Sequence, residues 1–429
     1  MIYIDPPYNT GNDFVYDDDF AMSGAELDAA MGNVDAECNR LRKNLDSSGR
    51  FHSDWCSMLY SSCSLVARSL LAEDGVIFIS IDDNEVHNLR KICDEVFGST
   101  SFVAELVHQR AKGRGQAKYI VKGHDYILIY ANNLEEISLT RKKVVQQQTF
   151  EIHGELYIKS DDVFRKVFGR YDKTLGDRRC FYEQIETYKR LEKKKEIDQL
   201  IEQGALFLEE NREGMHTICR YEKVADATSK LYSILKVLSE EGKKDLEELG
   251  LAGFSYPKPK ELLRQLIEAS TFSDSLILDF FSGSATTAHA VMQLNAEDGG
   301  CRKYIMVQLP EETPKESEAR RAGFNTIPEI AKERIRRAGA KIKETVGESA
   351  KDLDVVFCVF RLDSSNYVEV SLLPRAYRQE ELERMLYNIK EDRTDLDLLF
   401  GAMLSWGVQL SLPMIQYRTC GRLHRLYGE

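Results

Sequence analysis

With 429 residues, 43% of them hydrophobic and 30% charged, the chain has the size of about two or three domains and the composition of a soluble globular protein. A net charge of −12 argues against a surface that binds polyanions everywhere, though not against a local basic cleft, and nine scattered cysteines without a CxxC pair argue against a zinc site or disulfide framework. No apolar run approaches the ~20 residues that cross a bilayer, and Asp5 with two prolines interrupts any signal-peptide core, so a cytoplasmic protein with reduced thiols and no membrane partner is expected.

In chain order, the first element is the β-prone run Ile2-Tyr3-Ile4, ending in Asp5-Pro6-Pro7-Tyr8. Proline fixes φ and lacks an N–H, so the strand stops and a rigid turn leaves carbonyl oxygens free to accept. A carboxylate, free carbonyls and a ring suit a flat ligand that bears an amino group, such as a nucleobase turned out of a helix. Taken alone, an Asp-Pro-Pro turn serves structure about as often as function.

Trp55, Met58, Leu59, Ser62, Leu65, Val66, Ser69 and Leu70 have helical spacing, and Glu73-Asp74-Gly75 stops that helix. Val76 to Ile81 reads as a buried central strand, and Asp82-Asp83 as the cap of a helix carrying Val86, Leu89, Ile92, Cys93 and Val96. Residues 106–122, with Arg110, Lys112, Arg114, Lys118 and Lys122 around Gly113 and Gly115, read as a flexible basic loop. Asp125 to Tyr130 is a further strand, and the charged helix after Tyr188, with Ile197, Leu200 and Ile201, reads as a solvated surface helix.

The α/β pattern returns near residue 250. Leu262, Leu263, Leu266 and Ile267 form a helical face, and Ser275 to Phe280 is a strand. A small-residue turn, Phe281-Ser282-Gly283-Ser284, leads to a helix over 285–294. Tyr304 to Leu309 is the next strand, and a basic helix spans Pro328 to Lys343. A strand ending in an acid, then a small-residue turn, then a helix can hold an anionic or zwitterionic group. Neither GxxxxGK[ST] nor GxGxxG is present, and an ordinary helix start would look the same.

Together these motifs resemble DNA adenine amino-methyltransferases, and more closely the modification (Mod) subunits of Type III restriction-modification systems. The resemblance rests on Met1 to Gly11, Gly75 to Asp83, His124 to Leu128, Tyr256-Pro257-Lys258-Pro259, Asp279 to Thr287 and Asn325 to Ile330, and covers about residues 1–410. The catalytic motif comes first and the cofactor motif last, as in the β group of these enzymes. The resemblance implies a Rossmann-like α/β fold with a mixed sheet, an inserted target-recognition region and a small C-terminal region. Expected divisions are 1–105 (catalytic half), 106–250 (target recognition), 251–345 (cofactor half) and 346–429 (C-terminal region).

It also implies S-adenosylmethionine as cofactor, held by Lys258, Pro259, Asp279, Phe280, Phe281, Ser282, Gly283, Ser284 and Thr286. Asp5, Pro6, Pro7 and Tyr8 would be catalytic: Asp5 and the Pro6 carbonyl accept from the adenine amine, and Tyr8 stacks on the base. Arg110, Lys112, Arg114, Lys118 and Lys122 are expected phosphate contacts. Implied partners are double-stranded DNA, a separate helicase-nuclease restriction subunit and a second copy of the chain in a homodimer, with no metal. Family members carry a further segment upstream, Gln308 stands where many relatives place a Glu, and the chain departs from the family after Pro413. The expectation is therefore a chain truncated at both ends, with a remnant that binds DNA or a restriction partner without methylating as the alternative.

Overall fold

The computed structural model describes residues 1–10, 51–112, 119–142, 148–152, 154–167, 176–224, 226–251, 253–347, 353–367, 388–408, 410, 414–419 and 422–427. The chain divides into two compact units, Met1–Val355 and Val356–Glu429.

The first unit is built on a seven-stranded sheet. In chain order its strands are β1 (Ile2–Ile4), β2 (Val76–Ile81), β3 (Phe102–Gln109), β4 (His124–Ala131), β5 (Ile234–Leu235), β6 (Leu276–Asp279) and β7 (Lys303–Met306). In space the order is β5-β3-β4-β2-β1-β6-β7. All neighbours run parallel except β4, which is antiparallel to both β2 and β3, so the sheet is mixed.

Central strands covered on both faces must be apolar throughout, and Val76 to Ile81 is fully buried. The pleat then divides the core. On one face Tyr3, Phe78, Ile127 and Ile129 pack against Leu262, Leu263, Leu266 and Ile267 of helix α5 (Lys260–Ser270) and Val291 and Leu294 of α6 (Thr286–Asp298). On the other, Ile2, Ile4, Ile77 and Ile79 meet Trp55 and Leu59 of α1 (Phe51–Ser61) and Leu89, Ile92 and Cys93 of α2 (Val86–Cys93). Each such buried side chain contributes about 1.5–3 kcal/mol. From β1 the chain crosses to β2 on one side, whereas β6 leads to β7 on the other. The order of connection therefore reverses between β1 and β6, and in open α/β sheets ligands bind outside the carboxyl ends of strands at that reversal. Asp5 and Asp279 are the acids at those two ends.

Several elements differ from expectation. The stretch after α1 continues as a π-type turn over Ser62–Ala67. Its wider spacing buries Trp55, Leu59, Cys63 and Ala67, four residues apart, and leaves Val66 and Leu70 exposed. The Asp82 carboxylate accepts from Asn84 instead of capping α2. Leu106 to Gln109 belong to β3, which pairs along β4, so the basic segment is shorter than the span 106–122. Strands β3, β4 and β5 place parts of 106–250 inside the central sheet. Strand β7 ends at Met306, before Gln308.

The remainder of 106–250 has a small core of its own. A four-stranded sheet of Thr149–Ile152, Glu155–Ser160, His216–Lys223 and Phe207–Glu210 lies with α3 (Leu191–Glu202) around Cys180, Ile185, Ile197, Leu206 and Ile218, and α4 (Glu240–Glu247) follows. In the second unit, the helix Asp395–Ser405 starts at a Thr394 capping box, and Met414–Thr419 pairs with Arg422–Tyr427 as a hairpin.

Candidate active site

The turn after β1 is clamped from two sides. Trp55, on α1, donates from Nε1 to the Pro7 carbonyl at 2.7 Å. Asn9 adopts φ 53° and donates from Nδ2 to Glu85 Oε1 at 2.5 Å. Glu85 is fully buried and also bonds His52 Nδ1 at 2.6 Å and accepts from Asn88 Nδ2 at 2.8 Å. One carboxylate thus ties the turn after β1 to α1 and α2. Sequence reading missed both clamps: Glu85 sits in an Asp-Asp-Asn-Glu run that reads as a helix cap, and Trp55 reads as a core residue.

Asp5 Oδ1 is buried and has no hydrogen-bond partner, although Lys258 Nζ stands 3.2 Å away as an ion pair. Lys258 also donates to the Tyr8 hydroxyl and lies 4.8 Å from the centre of its ring. Burial, then the Asp5 charge, push the Tyr8 phenol well above its ordinary value, so it stays neutral. Tyr3, behind the turn, shares a 2.8 Å hydrogen bond with Ser80. The arrangement offers a carboxylate oxygen that is ion-paired but accepts no hydrogen bond, beside an aromatic ring, which suits a planar amine.

The second turn follows β6. Asp279 is buried, accepts from the Phe281 N–H at 3.1 Å and from the Thr287 hydroxyl at 2.5 Å, and is nonetheless pushed up to about 7 by burial. Gly283 has φ 50°, and a Cβ there would come within 3.3 Å of the Phe254 ring. Its N–H donates to Gln308 Oε1 at 2.7 Å. Gln308 therefore holds this turn directly. Ser282, Ser284 and Thr286 are buried, and Phe280 and Phe281 are half-buried with ring centres 5.5 Å apart.

Lys258 and Pro259 precede α5. The Lys258 carbonyl accepts from the Thr286 hydroxyl at 3.2 Å, while its side chain is directed to Asp5 and Tyr8. Lys258 thus joins the two turns. Arg334, on helix α7 (Ile327–Val346), donates from Nη1 to Ser284 Oγ at 2.9 Å and Thr286 Oγ1 at 2.6 Å. Sequence reading missed it because the helix is rich in basic residues. Its spacing held the signal: Ile330, Arg334, Ala338 and Ile342 share one buried stripe.

Three of the five expected phosphate contacts are described, all near the carboxyl edge of the sheet. Arg110 pairs with buried Asp125 at 3.3 Å, Lys112 with Glu240 at 3.0 Å, and Lys122 with Asp83. Arg114 and Lys118 lie outside the described residues. His108, also missed, is buried; its Nε2 bonds the Val237 carbonyl at 2.6 Å, and burial, then Lys258, hold it down at about 4.

The mixed α/β sheet, with two acid-ended strands side by side where its order of connection reverses, has the Rossmann-like arrangement of a ligand-binding α/β protein. The DNA methylase family N6_N4_Mtase matches residues 1–318, and the chain belongs to that family. It is 35% identical over 382 residues to the Type III restriction-modification enzyme StyLTI Mod subunit of Salmonella typhimurium, covering 82% of this chain and 55% of that protein. It is 34% identical to the EcoPI Mod subunit of Escherichia phage P1, covering 82% and 60%. The Type II methyltransferase M.KpnI of Klebsiella pneumoniae is 29% identical, covering 78% and 80%. The chain thus spans between 55% and 60% of the length of the two Mod subunits. Among solved structures, PvuII DNA methyltransferase (cytosine-N4-specific) is 12% identical with a TM-score of 0.34, covering 79% and 85%, a likeness too low to carry any argument. No helix among the described residues is long and apolar enough to cross a membrane.

Proposed function

We propose that the chain is a site-specific DNA methyltransferase that modifies the exocyclic amino group of adenine, using S-adenosylmethionine, as the modification and specificity subunit of a Type III restriction-modification system. The observation that carries this reading is Asp5 Oδ1, a buried carboxylate oxygen without a hydrogen bond, next to the Tyr8 ring. An amino N–H fills that need, and the ring supplies a stacking face. The residues after β6 fit the cofactor. The buried Asp279 carboxylate suits a cation, and the start of α6 with the Ser284 and Thr286 hydroxyls suits a carboxylate.

When bound, the cofactor supplies an electrophilic methyl group on a sulfonium. The chain's own contribution is positioning. Asp5 and the Pro6 carbonyl accept from the amine and turn its lone pair out of conjugation with the ring. Tyr8 holds the base flat, and the Trp55 and Glu85 clamps keep the turn from moving. Partners in this reading are double-stranded DNA, a helicase-nuclease restriction subunit and a second copy of the chain. Arg110, Lys112 and Lys122 exchange their carboxylates for phosphates on binding DNA. Support comes from the Mod subunits, at 34–35% identity over 82% of this chain, and M.KpnI, a methyltransferase it resembles over most of both lengths.

The test is nucleoside analysis of unmethylated DNA after incubation with the purified chain and S-adenosylmethionine. N6-methyladenine is the expected product. N4-methylcytosine would overturn the choice of base. Unmodified DNA from a folded chain that binds DNA would put the remnant reading in its place.

A further inference from the structure

Arg334 is fully buried, yet its Nε and Nη2 have no hydrogen-bond partner, and no ion pair to it forms among the described residues. Burial, opposed by the charge of Asp245, lowers it to about 10. Asp245 itself accepts from the Lys260 N–H at 2.7 Å. Isolated buried charges are expensive and usually exchange favourably for apolar side chains of similar size. A guanidinium kept under those conditions calls for an explanation in what it holds.

It holds Ser284 and Thr286. A guanidinium can only donate, so both hydroxyls must accept from Nη1. Each hydroxyl then has one proton to give. That of Thr286 goes to the Lys258 carbonyl at 3.2 Å. That of Ser284 is given to no acceptor among the described residues and stands at the start of α6, a 13-residue helix whose first N–H groups carry partial positive charge. We propose that Arg334 is a positioning residue for the cofactor: by forcing Ser284 and Thr286 to accept, it turns the Ser284 hydroxyl into a donor for the carboxylate at the cofactor's methionine end and fastens the Lys258 segment to the same turn. The proposal rests on the methyltransferase reading.

The test is calorimetric binding of S-adenosylhomocysteine to the full chain, alongside thermal unfolding without ligand. Arg334→Met should melt at or above the native temperature and bind at least about ten-fold more weakly, the loss expected for a hydrogen bond to a charged group. Arg334→Lys, a donor-only replacement, should recover part of that affinity. Ser284→Ala, which leaves the buried charge in place, should weaken binding to a similar degree, and adding it to Arg334→Met should cost little more. Native affinity in Ser284→Ala or in a folded Arg334→Met would overturn the proposal while leaving the methyltransferase reading intact. A folded native chain that does not bind S-adenosylhomocysteine would overturn that reading, and the proposal with it.

Discussion

The turns after β1 and β6 sit on neighbouring strands and end in the same residue type, but they treat their acids oppositely. Asp279 has both oxygens bonded within nine residues of its own chain, to the Phe281 N–H and the Thr287 hydroxyl. Asp5 has a buried oxygen with no hydrogen bond, held only in an ion pair with the Lys258 ammonium 3.2 Å away. The backbone differs too. The first turn is stiffened by two prolines and clamped by Trp55 and Glu85, whereas the second has left-handed backbone at Gly283 and Ala285 and is held by Gln308 and Arg334. A carboxyl group with both oxygens bonded is a fixed part of its pocket; one without a hydrogen bond waits for a donor from outside. On that contrast the first turn meets the reacting amine and the second holds a bound zwitterion in place.

The contrast can be broken most severely at Gly283. Left-handed backbone costs a residue with a Cβ about 1–2 kcal/mol, and here the Cβ would also press on Phe254. Gly283→Val should therefore lose cofactor binding by about 100-fold or more in calorimetry, since strain and clash act together. DNA affinity in a gel-shift titration should stay near native, because the second turn alone is disturbed.

Asp279 sharpens the contrast through pH. Its folded value of about 7 lies above the ordinary 3.8, so the fold favours the neutral acid. The free protein should then lose stability from this group as pH rises from about 4 to about 7, by no more than ~4 kcal/mol, and level off above. Asp279→Asn should remove that slope. Melting temperatures of the two proteins between pH 5 and 8 should diverge as pH rises, in favour of the variant. Parallel curves would mean that Asp279 is ionised throughout.

Trp55→Phe should act on the other turn alone. Leaving the Pro7 carbonyl without its 2.7 Å donor costs about 1–3 kcal/mol. The expected outcome is a lower kcat for methyl transfer with an unchanged cofactor Kd. The smallest effect belongs to the exposed pairs. Lys112→Ala with Lys122→Ala should weaken binding to all DNA sequences alike and reduce the salt slope by about 2. A loss confined to one sequence would remove both lysines from the phosphate contacts.

Both turns were legible in the sequence because each is local: an acid closing an apolar run, followed by residues that force a turn. The central strands were legible for the same reason, Val76 to Ile81 most clearly. What holds the turns was not. Glu85 reaches Asn9 across 76 residues, and Arg334 reaches Ser284 across 50, through pairings fixed only when α2 packs on the sheet and α7 on α6. A charged residue on an apolar helical stripe, as at Arg334, is the one local sign that such a contact exists. The flexible basic loop was overdrawn because the alternation in Leu106 to Gln109 is weak beside the charges that follow, and pairing with β4 settled it as strand.

The unsatisfied acceptor at Asp5 is the centre of this account, and single-turnover methyl transfer by Asp5→Ala against the native chain tests it most directly. With cofactor and DNA both saturating, the rate should fall by about 10²–10⁴-fold, the range for loss of a positioned acceptor at the reacting group. A rate within about three-fold of native would mean that the amine is held elsewhere, and the assignment of the Asp5 turn would be wrong.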